Sequence, residues 1–540
     1  MQQRPNIVLI LNDDMGYSDL GCYGGEIDTP NLNSLAENGL RLTQFYNTAR
    51  CCPSRACLLT GLHPHQTGIG ILTGRDGPDG YEGNLSRNNV TLAEVLTAAG
   101  YGAYMSGKWH ICSDQSKPNG SWPLERGFEK YYGIITGGAD YFQPKTLYRD
   151  HENVEAEAKA DPNYYLTDAI ADNACRFIRE HTDARSDAPF FLYTAFTSPH
   201  WPLHAKPKDI EKYKGKFDAG WDRLREARLE RMRAMGLLRQ EWALSARDPA
   251  QPPWDEARDK EWQLRRMEVY AAQIDCMDQG IGRMLNTLRE TGQLENTLIV
   301  FLADNGGCAE ELTGGWRLDR SNIAQEKTKD GRMVKFGNDP TVMPGTPDTY
   351  QSYGVPWANL SNTPFRYYKH WVHEGGIATP FILHWPAGIK DGRGVRHQPA
   401  QLTDVMPTIL ELTGAKYPRT NHGIEVPPFE GTSLVPLFAD QPNGKKMLFW
   451  EHEGNAAMRE GKWKLVKNFS GATSATPGFD PPEKRGPWEL YDLDQDRTEL
   501  NDLAGKFPER VTAMTAAYEA WAKRCGVIDR EVILRQGGKK

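Results

Sequence analysis

No stretch of the 540-residue chain approaches the roughly 18 consecutive apolar residues of a membrane-spanning helix, so the sequence reads as a soluble protein. It also lacks polybasic blocks. Its net charge of -7 gives no electrostatic footprint for nucleic acid, and an anionic substrate must be met by local cations. Cysteine is sparse: nine residues, an odd number in so long a chain, do not make a disulfide framework, and most are expected to be small buried thiols. Cysteines 51, 52 and 57 lack Cys-x-x-Cys spacing and a paired histidine motif, which argues against a zinc site. The apolar stretch Ile7 to Leu11 is too short for an export signal. As written the chain is expected to be cytoplasmic, or periplasmic or secreted if a presequence has been removed. No internal repeat or low-complexity tract stands out.

What is present is a recurring pattern. The apolar β-type runs Ile7 to Leu11, Tyr101 to Met105, Phe190 to Phe196 and Leu298 to Leu302 each end at a polar cluster. These clusters are Asn12-Asp13-Asp14, Ser106 to His110, Thr197 to His200 and Ala303 to Gly306. Uniformly apolar strands indicate a sheet covered on both faces, and ligand groups on an open α/β sheet gather beyond the carboxyl ends of its strands. The four clusters are therefore expected on one rim. Helix punctuation fits: Thr29-Pro30 as cap and first turn with a stop at Gly39, a capping box Thr91 to Glu94 ending at Gly100, and a helix from Asp404 to Leu412 closed by Gly414. Trp221 to about Leu288 reads as a solvated helix pair with a core-facing stripe. Leu312 to Asn362, polar and dense in Gly, Pro and Thr, reads as a long loop that walls the substrate pocket, with Tyr350, Tyr353 and Trp357 near its end. Beyond Asn443, short strands at Met447 to Glu451, Ala457 to Arg459, Trp463 to Lys467 and Trp488 to Leu490 precede a helix near Glu509 to Cys525. The expectation is a large α/β unit over 1–440 and a small antiparallel sheet with a covering helix over 441–540.

In Cys51-Cys52-Pro53-Ser54-Arg55, Pro53 suits a first helical position and puts Cys51 just outside a helix N-terminus. Backbone donors and the positive dipole end favour an anion there, and Arg55 adds a fork for tetrahedral oxyanions. Asp13-Asp14 and Asp304-Asn305, each at a strand end, offer hard oxygens suited to calcium, with magnesium as second choice. Taken singly, each pair is equally a turn or a helix cap. Alternation in an extended segment sends Lys108 and His110 to one side. His200 follows another strand, and Lys369 precedes Glu374-Gly375-Gly376 and a further apolar run. A lone His or Lys is more often a satisfied surface or core group. His63 and His65 are placed at the entrance; His204 and His373 are left unassigned.

Cys-x-Pro-Ser-Arg with a downstream Leu-Leu-Thr-Gly resembles the signature of type I sulfatases, and Trp488 to Asp494 resembles the tail of soluble bacterial arylsulfatases. The resemblance implies an alkaline phosphatase-like fold: a large, mixed, mostly parallel sheet sandwiched by helices. It implies that Cys51 is oxidised to formylglycine (3-oxoalanine) by a formylglycine-generating enzyme, and that Asp13, Asp14, Asp304, Asn305 and residue 51 hold one calcium ion. It further implies hydrolysis of aryl or carbohydrate sulfate monoesters through a formylglycine-sulfate intermediate. In that scheme Arg55, Lys108 and Lys369 neutralise the sulfate, Asp304 helps activate the nucleophile, His200 protonates the leaving group, and His110 takes the proton that releases sulfate. Two rival readings belong to the same resemblance: a phosphonate or phosphate ester hydrolase, and an inactive binder of sulfated glycans with Cys51 unmodified.

Overall fold

The computed structural model describes residues 4–73, 77–249, 251–312, 323–390, 393–444, 447–469 and 486–537. Residues 313–322 of the expected pocket loop lie outside them. The main sheet is formed by β1 (Asn6–Asp13), β2 (Leu40–Tyr46), β3 (Gly102–Gly107), β4 (Lys130–Ile134), β5 (Leu147–Arg149), β6 (Glu152–Asn153), β7 (Phe190–Pro199) and β8 (Thr297–Ala303). A two-residue pair, β9 (Lys335–Phe336) and β10 (Thr349–Tyr350), stands apart; β11 (Ala378–His384), β12 (Gly394–Arg396) and β13 (Ala400–Gln401) rejoin the main sheet. The order is β12-β2-β11-β8-β1-β7-β3-β4-β5-β6, with β13 on β2. The run from β8 to β4 is parallel; β11 is antiparallel to both of its neighbours. The fold is thus a mixed, mostly parallel α/β sheet.

Along β1 every residue is buried, and its apolar side chains alternate between two cores: Val8 and Ile10 on one face, Ile7, Leu9 and Leu11 on the other. This is why an unbroken apolar run was needed. The topology also sets direction. β1, β2, β3, β7 and β8 all end at one edge of the sheet, and β11, running the other way, begins there.

Several local readings change. The capping box at Thr91 is complete, with Thr91 Oγ1 accepting from Glu94 N and Glu94 Oε2 accepting from Thr91 N. Thr29 makes no such cap: its hydroxyl accepts from Gly21 N and donates to Asn33. Gly39 does not end the first helix, which stops at Glu37; it lets β11 approach, because a Cβ there would sit 2.1 Å from Leu383 O. The helix pair is not solvated throughout, since Lys260–Glu290 runs largely buried against the helix Leu166–Ala184 and carries Tyr270, Ile274 and Ile281 into the core. Within 312–362 the helix Gly354–Ser361 is wholly buried. Trp357 and Tyr353 therefore belong to the core rather than to a pocket wall, with Tyr353 stacked on Tyr270 at 4.2 Å.

The C-terminal sheet comprises Met447–His452, Asn455–Glu460, Trp463–Lys467 and Glu489–Asp492 in sequential antiparallel order. Leu448, Trp450, Ala457 and Val466 face the main core; Ala456, Met458 and Leu465 face Met514, Tyr518 and Trp521 of the helix Pro508–Cys525. A buried ion network also ties this sheet to the body. Glu374, just before β11, accepts from Lys464 at 3.0 Å and Arg497 at 2.8 Å, and Lys464 also meets Glu499 at 2.7 Å. Glu374→Gln leaves Lys464 and Arg497 underpaired, and a loss of about 3–5 kcal/mol in denaturant unfolding is expected. Burial opposes the Glu374 charge, but Lys464, Arg497 and Arg459 hold it down at about 2, against an ordinary 4.5. Its contribution is therefore complete above pH 4.5 and fades as pH falls towards 2. The stability gap between wild type and Glu374→Gln should stay constant above pH 5 and narrow below it.

Candidate active site

The helix carrying the cysteine motif spans Cys51–Thr60, so it starts two residues earlier than Pro53 suggested. Arg50 is the N-cap; Cys51 is the first helical residue and Pro53 the third. The proline still fits, because donors in the first turn have no intrahelical acceptor and Ser54 N is the first to bond, to Arg50 O at 3.0 Å. Gly61 closes the helix in the left-handed region, its N–H donating to Cys57 O. All nine cysteines lie among the described residues, buried and outside any disulfide.

One turn on from Cys51, Arg55 shares its helix face. The guanidinium fork is not turned to open space. Nη2 donates to Asp304 Oδ2 at 2.7 Å and lies 3.6 Å from Asp13, and Nη1 donates to the Lys108 carbonyl at 3.0 Å. Arg55 thus first holds Asp304 in place.

Asp13 ends β1 beside a break in its register with β7, and Asp14 follows at φ +67, a conformation few non-glycine residues adopt. The turn brings ligand atoms of Asp13, Asp14 and His200 within 4.8 Å of one another. Asp304 Oδ1 accepts from Asp14 N at 3.3 Å, and Asn305 Nδ2 donates to Asp14 Oδ1 at 2.7 Å. Lys108 Nζ reaches Asp13 Oδ2 at 2.5 Å, and Lys369 Nζ reaches Asp14 Oδ1 at 2.8 Å. Lys369 comes to the rim because β11 begins there. Asp13 Oδ1 and Asn305 Oδ1 are buried with no hydrogen-bond partner among the described residues. Orphaned hard oxygens amid three carboxylates fit a divalent cation.

Burial and the adjacent Asp13 charge push Asp304 well up; burial also works against the Asp13 charge, but Lys108, His200 and Arg55 outweigh it and hold Asp13 low. Burial opposes the charge on Lys369 as well, yet Asp14, Cys308 and Glu310 raise it, so the ammonium persists.

Cys51 Sγ lies 3.5 Å from His110 Nδ1. The neighbouring Cys52 thiol, followed by the charges of Lys108 and Lys369, draws Cys51 well below the ordinary thiol range against burial. Strand alternation does not explain how Lys108 and His110 converge: His110 sits at φ +56, and this turn aims its ring at residue 51. Burial lowers His110 to about 4, so near neutral pH it is an uncharged base. His200 is lowered by burial too. Its Nδ1 lies 2.6 Å from the Trp201 carbonyl, which places the proton on Nδ1 and turns Nε2 towards Asp14 at 3.5 Å. Cys51, Cys52 and His110 also form a three-donor group within 4.8 Å, without Cys57.

All ten residues expected at the site are thus at one rim. His63 and His65 are not at its entrance: both pack on Trp521 of the C-terminal helix, with His65 Nε2 2.6 Å from Glu451. His204 lies against the Thr349 carbonyl and His373 beside Glu489. Sequence reasoning missed Arg50 and Glu310, an ion pair at 3.0 Å beside residue 51; adjacency of Arg50 to Cys51 was the one available signal.

The sulfatase family model matches residues 5–415. The chain belongs to the sulfatase family. A model described as N-sulphoglucosamine sulphohydrolase, C-terminal, matches residues 365–517 of this sulfatase. The sulfatase is 32% identical to an uncharacterized sulfatase of Schizosaccharomyces pombe, covering 97% of this chain and 95% of that one. It is 33% identical to an arylsulfatase of Klebsiella aerogenes, covering 80% and 92%, and 28% identical to human arylsulfatase A, covering 94% and 86%. Among solved structures, the crystal structure of Ps i-CgsB superposes with a TM-score of 0.65 at 25% identity, covering 96% and 93%. As a sulfatase the protein is a sulfuric ester hydrolase, of a family that generally works with formylglycine and a divalent metal. No described helix is long and apolar enough to cross a membrane.

Proposed function

We propose that the protein hydrolyses aryl or carbohydrate sulfate monoesters at residue 51, after a formylglycine-generating enzyme has oxidised Cys51, with calcium held by Asp13, Asp14, Asp304, Asn305 and residue 51. The observation that carries this reading is the convergence of Cys51, His110, Lys108 and the carboxylates of residues 13, 14 and 304 on one sheet edge. Hydrated formylglycine supplies two hydroxyls on one carbon, one to attack sulfur and one whose proton loss expels sulfate without water attacking sulfur again.

The remaining work falls to side chains already in place. Lys108 and Lys369, fixed on Asp13 and Asp14, present positive charge where the sulfonyl oxygens must sit. Arg55 holds Asp304 beside the attacking group. His200, its Nδ1–H held by the Trp201 carbonyl, turns Nε2 towards the departing oxygen and delivers a proton there as the imidazolium, for which the neighbouring Lys369 ammonium is the proton source. His110 faces residue 51 as a neutral base, suited to take the second hydroxyl proton.

Rates on 4-nitrophenyl sulfate and the matching phosphate and phosphonate esters test the assignment. The sulfate is expected to turn over fastest; a faster phosphonate would reassign the site.

A further inference from the structure

The turn that carries Lys369 is held from three sides. Lys369 N–H donates to Gly307 O at 3.1 Å, three residues beyond Asp304, and His370 N–H donates to Ala49 O at 2.7 Å, two residues before Cys51. The third hold comes from outside the main sheet. The buried His370 side chain enters the hairpin that joins Met447–His452 to Asn455–Glu460. Trp450, on the first of these strands, donates from Nε1 to Asn47 O at 2.9 Å, so the hairpin is also fixed against the segment leading to residue 51.

The proton positions at this joint follow from its hydrogen bonds. Asn455 Oδ1 accepts from Phe469 N at 3.2 Å and Nδ2 donates to the His452 carbonyl at 3.1 Å, which orients the amide. The same Nδ2 lies 3.1 Å from His370 Nε2, making that nitrogen the acceptor and placing the imidazole proton on Nδ1. Nδ1 lies 3.1 Å from Glu453 Oε2, and Glu453 Oε1 meets Arg530 at 3.0 Å. Burial opposes the Glu453 charge, but His370 and Arg530 outweigh it and hold the carboxyl well below its ordinary range. Ligand atoms of His370, His452 and Glu453 come within 4.8 Å of one another, yet a protonated Nδ1 has no lone pair for a metal. The trio is a hydrogen-bonded joint.

Ala49, His370 and Glu453 sit at φ +64, +88 and +50. Such conformations are costly for these residues and persist where the surroundings over-determine them. Three along one line of contacts mark a geometry that is being held, and at its end stands the Lys369 ammonium on Asp14.

We propose that Glu453 and Asn455 are positioning residues of the active site: acting through His370, they fix the turn from which Lys369 reaches Asp14 and the leaving group. The C-terminal sheet is then a working part of the catalytic centre. The inference rests on the reading of Lys369 as the proton source for His200.

Leaving-group dependence tests it, because 4-nitrophenolate departs with little need of a proton and phenolate with much more. The readout is kcat/KM on 4-nitrophenyl sulfate divided by that on phenyl sulfate. Both esters are assayed on one preparation, so incomplete conversion at residue 51 cancels. Lys369→Ala should raise this ratio by at least ~100-fold and Glu453→Gln by at least ~10-fold, within reach of what a positioned general acid contributes. His370→Asn keeps a residue that tolerates positive φ but removes the joint; it should shift the ratio the same way and gives the answer if Glu453→Gln does not fold. In the Lys369→Ala background Glu453→Gln should change the ratio by less than about twofold, since residues acting through one group do not add. An unchanged ratio in folded Glu453→Gln or His370→Asn, or a full effect of Glu453→Gln without Lys369, would overturn the positioning role and leave the chemistry at residue 51 intact. An unchanged ratio in Lys369→Ala would remove the lysine's proton role and this inference together. Silence of wild type on both esters would remove the reading of residue 51 as well.

Discussion

Cys51→Ala is expected to reduce sulfate release from 4-nitrophenyl sulfate by about 10^5-fold or more, with little change in the unfolding transition. Losses of this order accompany removal of a nucleophile whose partners have no other route to the product. Alanine keeps the helix start, and the charges of Lys108, Lys369 and Arg55 stay paired with Asp13, Asp14 and Asp304. Substrate should therefore still bind, because the cations and the other four proposed calcium ligands remain: equilibrium dialysis of a slow sulfate ester at saturating calcium should show affinity within about tenfold of wild type. Residual turnover above a thousandth of wild type would mean that residue 51 is not the attacking group.

Removing the divalent ion should cost at least about 100-fold in kcat, given the several kcal/mol a bound cation contributes to a developing anion. Calcium should restore activity better than magnesium, since the donors are carboxylates and an amide on turns rather than a tight octahedral cage. Asp13→Asn should be more damaging than chelation. It removes a ligand charge and also the buried partner of Lys108, at 2.5 Å, with Arg55 3.6 Å away. Elemental analysis should find about one calcium per chain in wild type, the one-site stoichiometry of a single oxygen-ligand cluster, and much less in the variant. Thermal unfolding of wild type should rise with added calcium, as ligand linkage requires. Full metal content in Asp13→Asn would place the ion elsewhere.

Much of this site could be read from residue order because parallel strands deliver their carboxyl ends to one edge; β1, β3, β7 and β8 carried Asp13, Lys108, His200 and Asp304 there together. Lys369 is the instructive exception. It lies before a strand, and only the antiparallel direction of β11, which depends on neighbours distant in sequence, puts it at the same edge. Direction of that kind leaves no local mark. The convergence of Lys108 and His110 was anticipated for the wrong reason, since a positive-φ turn aims His110 where strand alternation was invoked. Trp357 and Tyr353 were misplaced because a short apolar helix inside a polar, glycine-rich stretch looks like loop until the core that covers it is known. Arg50 escaped notice because a lone arginine is uninformative without Glu310, which lies 260 positions away in the chain.

The central claim is chemical conversion of residue 51 in the working enzyme. Intact mass of the peptide spanning residue 51, taken from a preparation with measured sulfate-ester turnover, tests it directly. The account predicts a peptide lighter by about 18 Da than its cysteine form, the difference between CH2SH and CHO. A fully active preparation in which that peptide carries only the plain thiol would contradict it.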